Sequence, residues 1–189
     1  MKKLSFLFVA LLLAAGAMAQ TWTVDKAHSS LGFTVTHLVV SEVDGSFKAF
    51  DAKITSSKED FTDAVIELTA DASSVFTNQE KRDEHLKSPD FFDVAKYPTL
   101  TFKSKSVKKL DAKKYKVTGD LTLHGVTKTV DLDVTYGGTT THPYTKKPLS
   151  AFKISTTIKR SDFGIGTGTP SGVVGDEVTV LAKTEFTKE

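Results

Sequence analysis

Asp25, His28 and Ser29 put an acid, a base and a hydroxyl within five residues. Those types perform acyl transfer when the hydroxyl attacks, the imidazole takes its proton and the carboxylate orients the imidazole. Such triads converge from separate elements. Adjacent residues at the start of a strand more often bond local backbone and shape a turn, so this run reads as structural. The five histidines, His28, His37, His85, His124 and His142, raise metal binding. No two have the i, i+2 or i+4 spacing that presents two ligands from one element. His28 and His37, nine apart, would point to opposite faces of one strand. The expectation is no catalytic residue, no metal and no cofactor.

Three further stretches carry suggestive residue types. "GIGTGTPSGVVG" (164–175) is as glycine-rich as a phosphate loop, but such a loop opens a helix. A strand pattern follows here, so the stretch reads as a long hairpin connection. Arg160 precedes Asp162 and reads as half of a surface ion pair, worth little; Arg82 reads as structural in the same way. "RDEHLKSPDFFDVAKYPTLTF" (82–102) crowds charges ahead of Phe91 and Phe92. Before it, Thr77-Asn78-Gln79-Glu80 has the form of a capping box, a hydroxyl N-cap with Glu three residues on. This predicts a helix from about Asn78 to Lys87. Ser88-Pro89 then restarts a short helical turn, and Tyr97-Pro98 ends it. Adjacent residues on such a turn diverge by about 100°. One phenylalanine can therefore pack on the body of the protein while the other meets its interior.

The elements that must position these residues are strands. Leu31, Phe33 and Val35 share one parity, as do Leu100 and Phe102. Tyr115, Val117, Leu121 and Leu123 form another such set, as do Val130, Leu132, Val134 and Tyr136. Phe152, Ile154 and Ile158, then Val178, Val180, Ala182 and Phe186, complete the pattern. Period-two alternation gives each strand one apolar and one wet face. Asp44-Gly45, Gly119-Asp120, His124-Gly125, Gly137-Gly138 and 164–175 are turn signals. The expectation is an all-β domain, an antiparallel β-barrel of about eight strands with one short helical insert. A barrel of that size holds a filled interior or one small ligand.

Lys2 and Lys3, the apolar run Leu4–Leu13 and Ala17-Met18-Ala19 predict a signal peptide over 1–19, cut after Ala19. The run is too short to span a bilayer. The mature chain, 20–189, is expected in the periplasm or secreted, as one domain. Of 25 basic residues, losing Lys2 and Lys3 leaves 23 against 23 acidic, so no nucleic-acid partner is expected. With no cysteine there is no disulfide framework.

Four stretches, "WTVDKAHSSLGFTVTHL" (22–38), "KRDEHLKSPDFFDVAKYPTLTFKS" (81–104), "GDLTLHGVTKTVDLDV" (119–134) and "FKISTTIKRSDFGIG" (152–166), together resemble the YceI family of secreted lipid-binding proteins. The resemblance implies a lipocalin-like barrel that binds a long-chain isoprenoid or similar amphiphilic lipid, with a homodimer as an expected assembly. The ligand-binding residues expected are Phe33, Val35, His37, Phe91, Phe92, Phe102, Leu121, Leu123, Phe152, Ile154 and Phe163. His37 has inward parity and would meet a head group or sit at the rim. The resulting expectation is an exported, non-enzymatic lipid carrier. Two other readings stay open: a stress-response or adhesion module with a filled barrel, and a hydrolase using His28 or His37.

Overall fold

The computed structural model describes residues 18–189; residues 1–17 of the expected signal peptide lie outside the described residues. The strands are β1 (Gln20–Val24), β2 (Ser30–His37), β3 (Ser41–Phe47), β4 (Phe50–Ser56), β5 (Val65–Asp71), β6 (Val75–Phe76), β7 (Thr99–Lys109), β8 (Lys114–Leu123), β9 (Val126–Thr141), β10 (Pro148–Lys159) and β11 (Val174–Lys188). The single α-helix among the described residues is α1 (Glu80–Lys87).

These eleven segments form eight staves. β1 and β2 lie end to end along β11, through Trp22↔Lys188 and Leu31↔Ala182. β3 and β4 run back along them, through Phe47↔Leu31 and Ile54↔Trp22. β5 and β6 form the third broken stave. β7 to β11 are continuous, each pairing antiparallel with the next. The β1–β11 pairing closes the ring, so the domain is a closed eight-stave antiparallel barrel in up-and-down order. Closure removes the exposed edges an open sheet would carry.

The alternation seen in the sequence becomes the barrel's two faces. Leu31, Phe47, Leu100, Leu123 and Ala182 are buried inside. Lys53, Lys103 and Lys116 stand outside and pair with Glu67, Glu67 and Asp133. Only part of the turn chemistry lies where the sequence suggests. His124-Gly125 does make the two-residue β8–β9 connection, with both residues at positive φ, the requirement of a type I′ turn. Asp44-Gly45 and Gly119-Asp120 instead lie within β3 and β8. A Cβ at Gly45 would stand 2.2 Å from the Phe33 ring, and one at Gly119 would stand 2.4 Å from the Phe102 ring. These glycines make room for inward aromatics. Gly137-Gly138 lies within β9 at a register shift, where Tyr136 faces Phe152 and Gly138 faces Ala151. Gly137 is the extra residue of a bulge.

The helical insert also differs from its expected form. The N-cap is Gln79, whose side chain accepts the Arg82 N–H at 2.5 Å. Asn78 has φ 61° and stands outside the helix. Thr77 is buried, and its N–H and Oγ1 both donate to Asp83 Oδ1, at 2.7 and 2.5 Å. Residues 88–97 form successive turns rather than new helix.

Candidate ligand cavity

The inward faces enclose a cavity of about 240 Å³, against the ~10–15 Å³ that admits one water. The barrel interior is therefore not filled by its own side chains. Phe33, Val35, Phe91, Phe92, Phe102, Leu121, Leu123, Phe152 and Ile154 line it. His37 and Phe163 do not. His37 ends β2, and its carbonyl accepts Ser41 Oγ at 3.2 Å. Phe163 is 1 % exposed and packs within the surrounding core. Strand parity also marks Leu31, Leu100, Val130, Leu132, Val178 and Val180, which line the cavity too. Leu86 and Ile165 carried no such signal, because one sits in a charged helix and the other in the glycine-rich connection.

The lower end is closed by the 57–64 connection. Phe61 turns into the barrel at φ 56° and is 5 % exposed. Its ring lies 5.3 Å from Trp22, 5.9 Å from Tyr136 and 5.3 Å from Phe152, all edge-on. Asp63 holds this turn: its carboxylate accepts the Ser56 hydroxyl at 2.5 Å, the Ser57 hydroxyl, and the Ser57 N–H at 3.0 Å. Those hydroxyl bonds hold the Asp63 carboxyl well below the usual carboxylate range.

The upper end is covered by α1, the 88–97 turns and the 160–173 connection. Phe92 meets Phe47 edge-on at 5.6 Å. Phe91 packs against His85 at 5.0 Å. The Gly166 N–H donates to Asp90 O at 3.0 Å, joining the two covers. His124 Nδ1 lies 3.1 Å from Phe163 O and its ring 4.7 Å from Tyr97, tying the β8–β9 turn to both.

Arg160 organises this end. The sequence suggested a surface ion pair with Asp162, but the side chain is buried and makes no salt bridge among the described residues. Its guanidinium donates to five backbone carbonyls: Gly175 (3.1 Å), Ile165 (3.0 Å), Gly166 (2.5 Å), Thr169 (2.7 Å) and Val174 (3.0 Å). Arginine has five N–H groups, so its donors are matched one for one. A buried cation is tolerable only with such partners. The glycine-rich connection is thus wound around an arginine, which explains its lack of regular structure. Arg82 likewise bonds Thr77, at Oγ1 and O, both at 2.7 Å.

The remaining hydroxyls in the lining are also engaged. Thr156 donates to Asp131 O at 2.8 Å and Thr184 to Phe152 O at 3.4 Å. Among the described residues, Arg160 is the one ionisable residue in the lining. The cavity accordingly offers apolar contact, with no acid, histidine or lysine on its wall.

Asp25 and His28 lie away from it. Their side chains are 2.7 Å apart, and this bond holds the Asp25 carboxyl down and the His28 imidazole up from their ordinary values. Ser29 Oγ accepts the Glu185 N–H at 3.0 Å and donates to Glu185 O at 3.4 Å. No Ser29–His28 bond forms, so the run lacks the contact that activates a nucleophile. Asp25, His28 and Glu185 bring ligand-type atoms within 4.8 Å of one another, but His28 is largely exposed.

Comparison with known proteins accords with this architecture. A family model described as a YceI-like domain matches residues 22–186. A UPF0312 protein of Staphylococcus aureus is 37 % identical over 169 residues, covering 87 % of this chain and 96 % of that one. The crystal structure of Burkholderia cenocepacia BcnA superposes with a TM-score of 0.78 at 27 % identity, covering 86 % of this chain and 98 % of that one. A Campylobacter jejuni YCEI protein superposes at 0.72 with 34 % identity, covering 87 % and 96 %. A polyisoprenoid binding domain from Saccharophagus degradans shares the fold at 0.64 and 18 % identity, covering 89 % and 98 %.

Proposed function

From the premise that this chain belongs to the YceI-like family, we propose that it binds a long-chain isoprenoid, or a similar amphiphilic lipid, inside its barrel. One observation carries this reading: the barrel encloses an apolar cavity whose few polar side chains already donate to backbone carbonyls. Such a wall recognises hydrocarbon. Each methylene taken out of water contributes about 0.8 kcal/mol, so a long tail binds without polar anchors. A head group belongs at the upper end, where Arg160 and Ile165 of the 160–173 connection line the cavity. The named ligand of the Saccharophagus domain supports the choice of an isoprenoid.

The protein acts as a carrier or reservoir rather than an enzyme, a reading supported by a lining free of acids and histidines. We place it outside the cytoplasm on the strength of the leader-like residues 1–19; N-terminal sequencing of the protein from its native compartment should begin at Gln20. The binding test is uptake. Delipidated protein incubated with a long-chain polyprenol should co-elute with it near one to one. Leu121→Trp, which fills the cavity, should fold and take up little. A wild-type protein that takes up none contradicts the reading.

A further inference from the structure

The β2–β3 connection exposes three consecutive apolar residues. Leu38, Val39 and Val40 are 53, 72 and 87 % exposed, and Val173 beside them is 41 % exposed. The Leu38 N–H donates to Val173 O at 2.9 Å, so the two connections form one tip. Leu38 and Val39 hold φ of 50° and 65°. Left-handed backbone is unfavourable for a bulky residue and more so for a β-branched one. Glycine or asparagine would turn this corner at lower cost. Folding therefore gives no reason for valine at position 39. Strained, exposed positions of this kind cluster at functional sites.

The tip continues into the cavity. Immediately below it, Val174 pairs with His37 and Val178 with Val35, and Val35, Val174 and Val178 all line the cavity. An apolar track thus runs from the exposed tip to the interior along β2 and β11. Residues 38–40 carry no charge, and the nearest charged residue in sequence after them is Glu42.

We propose that the Leu38-Val39-Val40 tip, with Val173, inserts into the surface of a lipid bilayer and docks that end of the barrel there. The occupant follows from the track: a surface that delivers hydrocarbon to Val35, Val174 and Val178 must itself hold hydrocarbon. This goes beyond the binding function and gives it a route of loading. With no cationic residue in the tip, docking is apolar. It requires no anionic lipid and resists salt, unlike attraction by a polybasic segment.

The test is flotation with vesicles of phosphatidylcholine alone, at low and high salt. The wild-type protein should float in both. Val39→Gly with Val40→Ser should reduce vesicle partitioning by about tenfold or more, since exposed methyl groups supply the affinity. Glycine suits the left-handed backbone, so the variant's thermal stability should equal or exceed wild type. Its polyprenol content after soluble loading should be unchanged. That separates the two claims: a protein that floats but holds no lipid retains the docking tip and loses the binding function. The proposal is overturned if the wild type does not float, if it floats only on anionic vesicles, or if the variant floats equally well. Self-association that disappears in the variant, without vesicle binding, would assign the tip to a second copy and also overturn it.

Discussion

Arg160 shows how a charge can be wholly structural. Its five donors meet three carbonyls of the 160–173 connection and two at the start of β11, fixing the segment that carries Ile165 against the cavity. Lysine keeps the charge but offers three donors from one atom, leaving at least two buried carbonyls unmatched. Arg160→Lys should therefore cost about 2–4 kcal/mol in denaturant unfolding; a change below about 0.5 kcal/mol would mean the connection holds without it. Phe91 and Phe92 divide differently. Phe91 is buried between His85 and the Gly166 backbone, and Phe91→Ala should cost about 3 kcal/mol or more. Phe92 is half-buried against Phe47. Phe92→Ala should cost only about 1 kcal/mol while shortening lipid retention. Equal effects of the two substitutions on stability would erase that division. Both side chains line the cavity, so the sequence's either-or for this pair gives way to a difference in burial.

The 57–64 connection holds Phe61 in the barrel's lower end through the Asp63 carboxylate. Because the folded state holds that carboxyl below its unfolded value, its contribution is present above the ordinary carboxylate range and is lost as pH falls through the folded value. Trp22 is the only tryptophan and lies 5.3 Å from Phe61, so its emission reports the plug. Asp63→Asn should shift that emission at neutral pH, where the wild type changes only under acid; identical spectra would show that the plug needs no charge. No reading of the sequence singled out Phe61 or Asp63, because their connection has no apolar period and its meaning lies in contacts with distant strands. The helical insert was legible in existence and end but not in its cap. Thr77 has the right chemistry, yet its hydroxyl donates to Asp83 and accepts from Arg82 Nε, and Gln79 caps the helix instead. Gly45 and Gly119 misled for a related reason: a glycine that makes room for a ring across a strand reads, in one dimension, like a turn.

The whole barrel was the most legible level. Parity over long segments fixes which face is apolar, eight one-sided strands must close or stack, and the structure closes them. Seven of the expected contact residues lie on strands and fall on the lining because parity decides their side, while Phe91 and Phe92 reach it from the turns that cover the upper end. His37 lies beyond the lining because a strand's last residue keeps its parity but leaves the enclosed region, and Phe163 because it follows the strand, in a tight turn behind the wall. No parity rule reveals whether an interior is full or hollow; that depends on the summed volume of side chains around the ring. The cavity argues against a solid module, and its content is the central claim of the proposed function. The direct measurement is organic extraction of the protein purified from its natural source without detergent, followed by lipid mass spectrometry against Leu121→Trp prepared identically. The account predicts a long-chain isoprenoid or similar amphiphile at near one per protein in the wild type and little in the variant. Wild-type protein that repeatedly yields no lipid, or yields the same amount as the variant, would contradict it.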